Sequence, residues 1–110
     1  MTWNGLEQPD GPALLDIARR TLLDDVIPML TGDIRFKAMM AANAMAIAAR
    51  EPKAAAEVAA AVAALGDPAA LCAAIRAGHH DPGTPGRPIT EAALLHLALA
   101  RCRISAPKAL

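Results

Sequence analysis

Residues 35–51 read RFKAMMAANAMAIAARE, and the interpretation of this stretch decides the fold. At about 100° per residue, Asn43 falls within roughly 60° of Phe36, Met39, Met40, Ala46 and Ile47 on a helix. The opposite side carries Ile34, Ala38, Ala41, Met45 and Ala48, which is also apolar and small. A helix that is apolar all round is expected to be buried. The stretch therefore predicts a central helix with others on both sides, its charged Arg35, Lys37, Arg50 and Glu51 kept at the two ends.

Working outward, every strong signal is helical. The segment ALLDIARRTLLDDVIPML repeats apolar residues at helical spacing through Leu15, Ala18, Leu22 and Val26, and Pro12 suits a first helical turn. Pro28 lacks an N–H and is expected to end or kink that helix. The second helix is predicted from about Asp33 to Glu51, because Pro52 disfavours continuation. KAAAEVAAAVAAL then forms a third helix that closes at Gly66. Asp67 and Pro68 start a short fourth helix carrying Leu71, Cys72 and Ile75. HHDPGTPGRP belongs to a Pro/Gly-rich loop over 78–89, and Thr90 is expected to cap a fifth helix, EAALLHLALARCRI. The expectation is an all-α fold, a compact bundle of about five helices with a buried second helix at its centre. The 110 residues are expected to form one helical domain, with residues 1–11 loosely held unless Trp3 pins them.

Composition narrows the function classes. Lys plus Arg and Asp plus Glu are both 11, and Trp3 and Phe36 are the whole aromatic complement. Nucleic-acid binders carry a basic excess and stacking aromatics, so that class is excluded. The longest uncharged apolar helical run, Ala38 to Ala49, is shorter than the roughly 20 residues needed to cross a bilayer. MTWNGLEQPDGPALL lacks a basic start and an uninterrupted apolar stretch, so no secretory leader is expected. With two cysteines 30 residues apart and no leader, reduced thiols in the cytoplasm are expected. A domain of this length buries about 65% of its unfolded surface, and an alanine-rich core gains from self-association, so a homo-oligomer is expected.

Asn43 admits two readings. A buried amide without partners costs about 1–3 kcal/mol, so it could bond the Asp24 carbonyl that Pro28 leaves free. Alternatively it lines a pocket walled by Met40 and its neighbours, with Arg35 or Arg50 fixing an acidic or acyl ligand. In the structural reading, Phe36 and Pro28 frame the same junction. His79, His80 and Asp81 supply metal-binding side chains, but adjacent residues on a loop seldom aim at one ion and no ligand-spacing motif accompanies them. Cys72 and Cys102 fall on apolar stripes and read as buried hydrophobes. Asp24 and Asp25, being adjacent, diverge on a helix. No cofactor and no catalytic residue is expected.

LLDIARRTLLDDVIPMLTGDIRFKAMMAANAMAIAARE resembles the start of a small, uncharacterised bacterial family. Its pattern is LL, then L-x-x-x-V-x-P-x-L, then F, then A-A-N-x-x-x-I-x-x-R-E. The matching residues run from Leu14, Leu15, Leu22, Val26, Pro28 and Leu30 to Phe36, Ala41, Ala42, Asn43, Ile47, Arg50 and Glu51. AAIRAGHHD is similar to a second family stretch, IR-x-G-x-x-D. The tail has Ala106 before Pro107 where the family usually has Asn, and no aromatic nearby. The resemblance implies an accessory role beside or fused to aminoglycoside-phosphotransferase-like kinases, near acyl-CoA dehydrogenases. The expected function is a non-catalytic interaction module partnering such a kinase-like or acyl-CoA-metabolising protein, with a small-molecule binder as the alternative.

Overall fold

The computed structural model describes residues 4–110, and the expected pinning role of Trp3 lies outside them. The described residues are helices and turns, with no strand among them. Two compact units divide at the Pro52–Lys53 bond.

The first unit opens with α1 (Gly11–Thr21), held at its start by the Asp10 carboxylate, which accepts the Ala13 N–H at 3.1 Å. Pro12 occupies the first turn, where its missing N–H costs nothing, and Arg19 and Arg20 sit at the negative end of the helix dipole. The chain then widens into a π-helical turn over Leu22–Val26, closed by the Ile27 N–H on the Leu22 carbonyl. A 3-10 turn over Ile27–Met29 contains Pro28 and ends the segment. The proline thus ends the helix as the sequence predicts, after one widened turn that periodicity alone does not reveal.

From Gly32 the chain enters α2 (Gly32–Leu65), 34 residues long with Pro52 in its interior. This corrects the sequence reading: the second and third helices are one, and the described residues hold four α-helices instead of about five. The reason is local. An interior proline costs about 3 kcal/mol against alanine, but the 13 residues after Pro52 contain eight alanines, the best helix formers, and no turn residue. Where Gly follows, at Gly66 with φ +74°, the helix does stop, and the Gly66 N–H bonds the Val62 carbonyl.

In the second unit the Asp67 carboxylate accepts the Ala70 N–H at 2.9 Å and starts α3 (Pro68–Arg76), as its sequence predicts. α4 (Arg87–Ser105) begins three residues before Thr90, with Gly86 at its N-cap and Pro88 in its first turn. Thr90 is therefore not the cap; a proline with φ near −65° is already preorganised for the first turn. Glu57 on α2 accepts the Arg103 guanidinium of α4 and has His96 4.0 Å away, and both basic side chains are about half exposed.

Burial is carried by small side chains. In the first unit Ile27, Ala42, Ala46 and Ala49 are buried, and in the second Ala54, Ala61, Ala93 and Ala100. Ala42, Ala46 and Ala49 form one stripe at i, i+4, i+7, while Ala54 with Ala61 and Ala93 with Ala100 each recur after seven residues. The second helix is consequently not buried all round. Phe36 is 61% exposed and Met40 58%, and Ile34 and Met39 are exposed as well. An apolar pattern around a helix states that both faces need cover; it does not state that the same chain supplies it. No single helix among the described residues is long and apolar enough to cross a membrane.

Replacing Pro52 with alanine tests the continuous α2. The variant restores one backbone hydrogen bond and removes a ring clash, so unfolding in guanidinium should show a gain of about 1–3 kcal/mol at unchanged m-value. An unchanged midpoint contradicts an unbroken helix at this position.

Candidate functional site

Two places concentrate the residues that the sequence singles out. The first is the outer face of α2. Phe36, Met40 and Asn43 recur at i, i+4, i+7, joined by Met39 and by half-buried Ile47. All four of Phe36, Met39, Met40 and Asn43 are exposed. Asn43 is thus neither sunk in a core nor tied to the end of the first helix. The Ile27 N–H there bonds Leu22 and the Leu30 N–H bonds Ile27, so that junction is closed by its own backbone. Pro28 is exposed in the same turn, and Phe36 stands on the surface instead of framing a buried junction. The correction has a simple cause. The buried stripe of α2, Ala42–Ala46–Ala49, lies about 60–120° around the helix from Asn43. Alanine permits the closest approach of neighbouring backbone, so the chain packs along that line and the larger side chains remain outside.

Arg35 is exposed at one end of this face and Arg50 is half-buried at the other. Asp33 and Lys37 form a 3.0 Å ion pair one helical turn apart, both solvated. The face is an apolar strip with an amide at its middle and charges at its ends. Its thioether side chains repack at low cost against varied shapes.

The second place is a cleft of about 260 Å³ in the second unit, lined by Ile75, His80, Arg87, Thr90, Glu91 and Leu94. His79 and Asp81 are exposed, whereas His80 is half-buried, so the three adjacent side chains do not act as one set. His80 Nδ1 lies 3.0 Å from the Thr90 hydroxyl, and the Arg87 Nη1–H donates to the His80 carbonyl at 3.3 Å. Arg87 Nε–H also donates to Glu91 at 3.2 Å, which balances the charge of the cleft. No group of three or more His, Cys, Asp or Glu among the described residues is placed to hold a metal ion. What the cleft can do chemically is hydrogen-bond a small polar group against the apolar Ile75 and Leu94 side chains. Thr90, Arg87 and Glu91 were not singled out from the sequence as partners of His80; the signal was the early helix start, which places Thr90 inside the first turn.

Gly78 and Gly86 shape this loop. Gly78 has φ +84°, and a Cβ there would stand 3.0 Å from the Asp81 carboxylate. At Gly86 a Cβ would stand 3.2 Å from His80 Nδ1, the atom that meets Thr90. The cysteines are free, Cys72 exposed and Cys102 half-buried, so the expected burial of Cys72 is not found. Its short helix, α3, has no buried residue.

The family comparison becomes informative against this geometry. Residues 28–109 match the family described as "Domain of unknown function (DUF6285)", and the chain belongs to it. The match begins at Pro28. It takes in the whole outer face of α2 and the IRAGHHD stretch, and leaves out the Leu14–Val26 portion of the resemblance read from the sequence. No curated protein and no solved structure matches the chain.

Gly86→Ala tests the close approach at the cleft. The added methyl should push the His80 ring off Thr90, shift its imidazole resonances, and cost about 0.5–1.5 kcal/mol for the lost hydrogen bond. Imidazole shifts identical to the parent protein contradict this geometry.

Proposed function

We propose that this DUF6285 member is a non-catalytic accessory module whose outer α2 face, centred on Phe36, Met39, Met40 and Asn43, docks against another polypeptide. One observation carries the reading. The largest apolar side chains of α2 are outside, while its buried contacts are made by alanine. Large apolar side chains contribute about 1.5–3 kcal/mol each on full burial, against roughly 0.8 for a methyl-sized group, so most of the available burial energy on this helix is still unspent. Contiguous exposed apolar strips on a helix are a recurring docking mode, read as i, i+3, i+4, i+7 anchors. Phe36, Met39, Met40 and Asn43 have that spacing.

The partner class proposed is the one implied by the resemblance: a protein like the aminoglycoside-phosphotransferase family, or an acyl-CoA-metabolising protein, acting in the cytoplasm. The module contributes binding and positioning, without cofactor, and no residue is assigned a catalytic role.

The test uses the full chain and a purified aminoglycoside-phosphotransferase-like protein encoded beside a family member. Phe36→Glu places a charge in the middle of the contact and should weaken association by about 30-fold or more, the scale of an interface hot spot. Ile89→Glu, at a 71% exposed position of the second unit, should change it little. Equal affinity of parent and Phe36→Glu proteins, or no association at about 100 µM of the kinase-like protein, contradicts the proposal.

A further inference from the structure

One face of α4, with the loop before it, builds a cleft that the docking strip of α2 does not use. Arg87, Thr90, Glu91 and Leu94 fall at i, i+3, i+4 and i+7, so they share one side of the helix. Ile75 of α3 and His80 of the loop complete the lining of this cavity of about 260 Å³, all of it inside the second unit. Pockets for drug-sized ligands run from roughly 300 Å³ upward, so the occupant that fits here is smaller.

The polar lining is held in place by the protein itself. The Asp81 N–H bonds the Gly78 carbonyl at 3.2 Å, the Thr84 N–H bonds the Asp81 carbonyl at 3.0 Å, and the Arg87 N–H bonds the Thr84 carbonyl at 3.3 Å. The loop thus enters α4 through consecutive closed turns. Thr90 holds the His80 ring through Nδ1, and Arg87 is held from two sides, by the His80 carbonyl and by Glu91. Those bonds leave one polar atom of each side chain without a protein hydrogen bond among the described residues: His80 Nε2, Arg87 Nη2 and Glu91 Oε1. The Arg87 and Glu91 side chains remain 43% and 67% exposed, so a solute reaches them.

We propose that this cleft binds a free aliphatic α-amino acid as its zwitterion. Arg87 Nη2 and His80 Nε2–H donate to the ligand carboxylate, and Glu91 Oε1 accepts from the ammonium. The aliphatic chain lies against Ile75 and Leu94, which are 43% and 42% exposed.

Charge selects this class. Arg87 and Glu91 pair at 3.2 Å, so a ligand with one charge meets one attractive and one repulsive partner. A zwitterion oriented along the pair meets two attractive ones, through charge-assisted bonds about twice as strong as neutral ones. Binding also selects a tautomer. With the proton on Nε2, Nδ1 accepts from the Thr90 hydroxyl, and the ring stays aligned as it donates.

Titration of the full chain with L-leucine, isocaproate and isoamylamine tests the assignment, read by calorimetry and by the imidazole nitrogen resonances of His80. Isocaproate is the leucine skeleton without the ammonium, and isoamylamine is the same skeleton without the carboxylate. L-Leucine should bind saturably with a dissociation constant below about 5 mM, and each truncated probe at least about tenfold more weakly. The bound His80 should carry its proton on Nε2. Glu91→Gln, at an exposed position, should weaken L-leucine by about tenfold and leave isocaproate equal or tighter. An isocaproate affinity equal to that of L-leucine assigns the cleft to simple carboxylates and overturns the proposal. An unchanged L-leucine affinity in Glu91→Gln overturns it as well. So does L-leucine that leaves the His80 resonances unmoved up to about 20 mM.

Discussion

The structure depends on alanine as the contact residue of α2. Where Ala42, Ala46, Ala49, Ala54 and Ala61 are buried, neighbouring chain can approach the helix axis closely and gain dispersion contacts without large side chains. The consequence is geometric. A helix that spends its alanine line on its own chain must turn its bulky residues elsewhere, and Phe36, Met39 and Met40 are turned to the surface. Ile27, 4% exposed, is the largest buried side chain among the described residues, so the burial achieved is modest for the apolar content of the sequence.

Much of this was legible in advance, and the failures share one origin. The all-helical class, the Asp67–Pro68 start of α3, the stop at Gly66 and the break at Pro28 all follow from short-range chemistry of caps, φ angles and missing N–H groups. Pro52 misled because its local cost was weighed alone, without the helix propensity of the alanines that follow it. Asn43 misled for a different reason. Periodicity measures which residues share a face, and it groups Asn43 with Phe36 and Met40 correctly; it carries no information about which body covers that face. The His80–Thr90–Arg87 cluster was invisible because it depends on where α4 begins, and a Gly–Arg–Pro start is a weaker signal than a threonine that looks like a cap.

The same geometry revises the part played by Asn43. Inside a core it would have been a structural device binding one helix to another. It stands instead on the surface, the one amide among the exposed Phe36, Met39 and Met40 side chains.

The central claim is that the Phe36–Met39–Met40–Asn43 face is covered by another polypeptide and is open in the isolated chain. Methionine oxidation followed by peptide mass spectrometry, with and without about 100 µM of the aminoglycoside-phosphotransferase-like protein, reads it directly. Met29, 82% exposed and off the strip, serves as the internal reference. The account predicts that Met39 and Met40 oxidise about as fast as Met29 in the isolated protein and become protected when the kinase-like protein is added, while Met29 does not change. Met39 and Met40 that oxidise at the same rate with and without the kinase-like protein would contradict it.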